Sequence, residues 1–82
     1  MKIITINDLL DILNNGNAFN VYGLNKNLYL NALTMNGKYK YNCINEEGIS
    51  VIKEFKDFES LSYELKSLFS DVEFDGNSLN IL

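Results

Sequence analysis

The side chains that most often do chemistry in proteins are unevenly supplied in this chain. It has no His, Arg, Trp, Gln or Pro, its basic residues are seven lysines against eleven acidic residues, and it holds one cysteine, Cys43. Without an imidazole, general acid-base work would fall to a carboxylate pair held in an apolar pocket, or to Lys and Tyr. The acidic residues are instead scattered over turn-like stretches and helix starts. A single Cys with no His to activate it reads as a small apolar side chain rather than a nucleophile, and it cannot form an internal disulfide. No metal-ligand spacing and no phosphate-cradling glycine loop is present. The expectation is a protein that is not an enzyme, binds no metal and needs no cofactor.

Recognition is what the remaining residues could do. The stretch "NALTMNGKYKYNCINEEG", residues 31 to 48, alternates like a strand on both sides of Asn36-Gly37, yet apolar or aromatic residues occur on both of its faces. Asn-Gly tolerates the positive φ angles of a two-residue type I′ turn, which fixes the pairing of Leu28 to Met35 with Lys38 to Asn45. One face then carries Leu30 opposite Cys43, Ala32 opposite Tyr41 and Thr34 opposite Tyr39, and reads as the core side. The other carries Tyr29 with Ile44, Leu33 with Lys40 and Met35 with Lys38. With Tyr22 and Ile52 beside it, that second face is an apolar patch that either carries a helix or meets a partner.

The elements that must position this hairpin can be traced outward from it. "INDLLDILNNG" reads as a short helix with Asn7 as N-cap, Asp8 and Asp11 in its first turn and a stop at Gly16. "FNVYGL", residues 19 to 24, reads as a strand, and "NKN" at 25 to 27 as a tight connection. After Asn45, "EEG" can close a three-residue loop with Gly48 in the left-handed conformation. "ISVIKEF" then returns as a fourth strand, although its apolar spacing also fits a helix. The clearest helix runs from Phe58 to about Phe69, capped by Asp57, with Phe58, Leu61, Leu65, Leu68 and Phe69 as its apolar stripe. The tail "VEFDGNSLNIL" carries an Asp-Gly turn signal, for a terminal hairpin or a last strand. The fold expected is α+β: one antiparallel sheet of three to four strands with two helices.

At 82 residues this is one domain, 1 to 82. Hydrophobic residues at 46% and charged residues at 22% are those of a folded globular chain. A single core of this size without staples supplies about 3–5 kcal/mol. The formal charge of -4 and pI near 4.5 argue against direct nucleic-acid binding, which needs a basic patch. "MKIITINDLL" lacks a signal-peptide apolar run, and no window reaches the length of a membrane span, so a cytoplasmic protein with no membrane partner is expected. Thirteen asparagines with many Lys and Ile reflect the codon usage of an AT-rich genome, as in a low-GC bacterium or its phage, and no function is read into them.

From residue 5 to about 58, "INDLL", "LYLNALTMNGKYKYN" and "NEEGISVIKEF" together resemble the small Cas9-inhibiting anti-CRISPR proteins of Gram-positive phages. The resemblance implies an acidic decoy at the site where a guide-loaded effector nuclease such as Cas9 engages target DNA, including the arginines that read the short motif beside the target. The residues matching that family's acidic turn are Asn45, Glu46 and Glu47. In the family the acidic run is denser, and the counterpart of "ISVIKEF" is helical. The alternative from a different class is an immunity protein or antitoxin that plugs a toxin's active site. Under either reading Tyr29, Leu33 and Met35 are the apolar anchors of the partner surface, with Asn45, Glu46 and Glu47 at its acidic tip.

Overall fold

A computed structural model describes residues 2–23, 29–35, 37–44, 47–70 and 72–82, with the backbone alone at 34 and 35. The chain is α+β. In order it forms β1 (Ile3–Ile4), α1 (Ile6–Asn14), β2 (Phe19–Tyr22), β3 (Tyr29–Met35), β4 (Lys38–Ile44), β5 (Ser50–Phe55), α2 (Phe58–Phe69), β6 (Phe74–Asp75), a 3-10 turn at Gly76–Ser78 and β7 (Asn80–Ile81). Five strands make one antiparallel sheet in the order β5-β4-β3-β2-β7, and β1 with β6 make a second, two-stranded sheet. The main sheet is therefore larger than three to four strands.

The hairpin has the register that its sequence predicts. Met35 pairs with Lys38 and Tyr29 with Ile44, and Gly37 has φ +75°. Asn36 lies outside the described residues. A valine at position 37 would have to hold the left-handed conformation that its branched Cβ resists. Gly37→Val is expected to cost roughly 1–2 kcal/mol, read as a lower midpoint in urea denaturation; an unchanged midpoint would mean that the connection does not depend on this geometry. At the next connection Gly48 has φ +81°, and Ile44 pairs with Ser50, so "SVIKEF" is the strand expected rather than a helix.

The helix starts show how local chemistry sets boundaries. Asp57 caps α2 by accepting from the backbone N–H of Ser60 at 2.7 Å, a bond that holds its carboxyl below the usual carboxylate range. The α1 cap is Thr5, not Asn7: Thr5 Oγ1 accepts from Asp8 N at 3.3 Å while Asp8 Oδ2 accepts from Thr5 N at 3.0 Å. That reciprocal pair satisfies two backbone donors where a single cap at Asn7 would satisfy one, so the helix begins earlier.

Both helices lie on the same face of the main sheet, α1 over β2 and β3, α2 over β4 and β5, and they touch each other. Between the layers Ile6, Leu9, Leu10 and Leu13 meet Phe19, Val21, Leu30 and Ala32, while Leu61, Leu65 and Phe69 join Tyr41 and Cys43. The α2 stripe is narrower than the sequence predicts. Leu68 is 48% exposed and Phe58 only partly buried, its ring edge-on to Tyr39 at 5.7 Å, because the helix touches the sheet along one line of residues. The tail adds a last strand instead of folding into a hairpin: β7 joins the β2 edge, and β6 pairs with β1, the strand at Ile3–Ile4 that local pattern leaves unmarked. Phe74 of β6 is fully buried against Phe69.

Candidate partner-binding face

Neither helix covers the other side of the main sheet. Directly paired residues of an antiparallel sheet point to the same side, so the pairings give that open face as four rows running across the strands. One row is Tyr22, Tyr29, Ile44 and Ser50; a second is Leu33, Lys40 and Glu54; Lys38 and Met35 follow at the Gly37 end. Between these two rows lies a line of four asparagines, Asn80, Asn20, Asn31 and Asn42, on four adjacent strands, ending on Ile52 of β5.

The amides form a built surface rather than loose side chains. Asn20 Oδ1 accepts from Tyr29 Oη at 2.8 Å and from Asn31 Nδ2, which also donates to the Phe19 carbonyl at 3.2 Å. Asn42 Oδ1 accepts from Ser50 Oγ at 3.0 Å. Tyr22 and Tyr29 rings lie 5.2 Å apart and tilted. These contacts fix side-chain rotamers before any partner arrives, which lowers the entropy that binding must overcome. Tyr22 at 55% and Ile52 at 58% remain exposed, with Ile44 at the margin.

Of the residues singled out from the sequence, Tyr29 and Leu33 lie on this face, both half-buried, and Met35 has its register position there while its side chain lies outside the described residues. Tyr29 and Met35 are six residues apart on one strand, roughly 20 Å, so the anchors span the length of the face. Glu47 is exposed in the β4–β5 connection, at the Tyr29 end; Asn45 and Glu46 lie outside the described residues. The asparagine row is what sequence reading missed. Each Asn sits at an outward position of its own strand, but their alignment exists only once four strands are in register.

The charges on this face are few. Among the described residues they are Lys38, Lys40 and Glu54, whereas Asp8, Asp11, Glu59 and Glu64 belong to the helix layer. One of the two edge strands, β5, is guarded on its helix side by Lys53, whose Nζ lies 3.0 Å from Glu64 Oε1. A charge midway along an edge strand discourages addition of another strand. That disfavours strand addition at the β5 edge; the opposite edge is the two-residue strand β7.

Chemistry on the covered side is limited. Cys43 is buried, as its place in the hairpin predicts, and burial pushes its thiol up, away from the nucleophilic thiolate. Among the described residues no three Cys, Asp or Glu side chains are arranged to hold a metal ion, and no helix is long and apolar enough to cross a membrane. Comparison with known protein families, with curated proteins and with solved structures finds no match to this chain.

Proposed function

We propose that this chain acts by binding another protein, without catalysis, through the open face of its five-stranded sheet. The observation that carries the reading is that the sheet's helices are both spent on one side, leaving Tyr22, Ile44 and Ile52 in water around an ordered row of amides. Exposed aromatic and aliphatic anchors beside satisfied polar groups are the makings of an interface centre. The specific form is an inhibitor of a guide-loaded CRISPR effector such as Cas9, encoded by a phage and acting in the bacterial cytoplasm. The resemblance of the hairpin region to anti-CRISPR proteins supports that form, and the open face supplies its anchors. Glu46 and Glu47 at the neighbouring connection steer association towards a basic target.

The test is protection of target DNA. Unmodified protein mixed with guide-loaded Cas9 before the target is expected to reduce cleavage in proportion to the protein added. Tyr22→Glu and Ile52→Glu, which change exposed positions and should stay folded by circular dichroism, are expected to weaken this by about tenfold or more. Reversing Glu46 and Glu47 should slow association more at low than at high salt. If the unmodified protein neither binds the nuclease nor protects the target, the anti-CRISPR form is excluded and an immunity protein becomes the form to test.

A further inference from the structure

Of the thirteen asparagines, Asn15 and Asn36 are followed by glycine. That pair has a chemistry of its own. The backbone nitrogen after an asparagine can attack the side-chain amide carbon, and a glycine there offers no Cβ to hinder the approach. A bond forms between glycine N and asparagine Cγ, the glycine N–H proton and the amide group leave together as ammonia, and a five-membered cyclic imide results. Water then opens the ring. The product is aspartate or its β-linked isomer, with one negative charge gained and no oxidant or reductant consumed.

Asn15-Gly16 lies where α1 ends. Both residues are exposed, and nothing packs within 4 Å of the place a Cβ would take on Gly16, so water reaches the pair. The helix stop, however, engages the nucleophile. Gly16, at φ +85°, donates its N–H to the Leu13 carbonyl at 3.0 Å, and Asn17 donates to the Ile12 carbonyl at 3.2 Å, the two bonds of a Schellman motif. Asn15 is held at φ -86° and ψ 8°, its own N–H on the Asp11 carbonyl at 3.1 Å. Ring closure needs Gly16 N to give up its proton and turn onto Asn15 Cγ. Both are opposed while the stop is closed.

We infer that Asn15-Gly16 is a site of spontaneous deamidation gated by the C-terminal stop of α1, slow while the two bonds hold and fast when this helix end opens. Helix ends open at lower free energy than the core beneath them, so the gate opens within the folded chain. The product feeds back on the gate. A carboxylate at position 15 sits at the negative end of the helix dipole, and α1 has no basic residue in its last turn to offset it. Deamidation therefore loosens the stop that restrained it.

The test is peptide mass spectrometry of the full chain during incubation at neutral pH, with and without unfolding urea, fragmentation assigning any amide-to-acid mass gain to position 15 rather than 36. The gain at Asn15 is expected in both conditions, faster by about tenfold or more in the unfolded chain. Asn15→Gln, whose longer side chain cannot close the same ring, should abolish it at that position. Amide hydrogen exchange reads the gate directly. The Gly16 N–H of the parent should be protected, and Asn15→Asp, which carries the charge of the product, should exchange there about two- to fivefold faster. Equal deamidation rates in folded and unfolded chain, or an unprotected Gly16 N–H, would overturn the gate. No gain at Asn15 in the unfolded chain would overturn the site, and none in the folded chain would overturn opening from the native state. An Asn15→Asp variant that exchanges like the parent would overturn the feedback.

Discussion

Leu65→Ala is expected to lower stability by about 2–5 kcal/mol, comparable to everything a core of this size supplies. Leu65 is fully buried at the middle of α2, where it joins Leu61 and Phe69 in the layer between helix and sheet. Truncation removes the transfer free energy of the buried atoms and leaves a cavity that the close-packed strands below cannot fill. The informative control is Leu68→Ala. It lies three residues along the same helix but is 48% exposed, so its loss should stay within about 0.5 kcal/mol. Urea denaturation with an unchanged slope measures both. Equal losses at the two positions would contradict the orientation of α2.

The second large effect is alkaline. Tyr41 is fully buried, its ring stacked on Phe55 at 5.9 Å, and its Oη has no hydrogen-bond partner among the described residues. Burial, with the nearby Glu64 carboxylate and Cys43 adding to it, pushes its phenol up from 10.0 to about 12. Because the folded value lies above the unfolded one, the folded state favours the proton. The stabilisation is therefore complete below pH 10 and is lost as pH rises from there through about 12. A shift of about two units corresponds to roughly 2–3 kcal/mol. The Cys43 thiol, also pushed up by burial, acts in the same direction.

Tyr41→Phe separates this from general alkaline damage. At neutral pH the variant keeps the ring and removes an unpaired buried hydroxyl, so its stability should be unchanged or higher by about 1 kcal/mol. Between pH 10 and 12 its midpoint should fall less steeply than the parent's. Parallel pH curves for the two proteins would show that Tyr41 ionisation does not couple to folding.

Local chemistry determined much of this fold from the sequence alone. The Asn-Gly signal between two alternating runs predicts a two-residue connection, and the pairing of Met35 with Lys38 and the φ of +75° at Gly37 agree with it. Asp57 sets the start of α2, because its carboxylate reaches the N–H of Ser60. Period-two alternation assigned Leu30, Ala32, Tyr41 and Cys43 to the core, and all four are buried. Each of these depends on residues within a few positions of one another, or on a strand pair joined by a tight turn.

Tertiary structure decided what depends on distant segments. Ile3–Ile4 becomes a strand only because Phe74–Asp75 arrives beside it, and Asn80–Ile81 joins β2 from the far end of the chain. The exposure of Leu68 follows from the angle at which α2 meets the sheet, not from its spacing in the stripe. Whether α1 would cover the second face of the hairpin was open in the sequence, since an amphipathic helix carries no mark of which sheet side it will choose. In the structure α1 lies on the core side, packed beside α2 and over β2 and β3. The asparagine row has the same origin: Asn80, Asn20, Asn31 and Asn42 lie up to sixty positions apart, and only the register of four strands brings them into line.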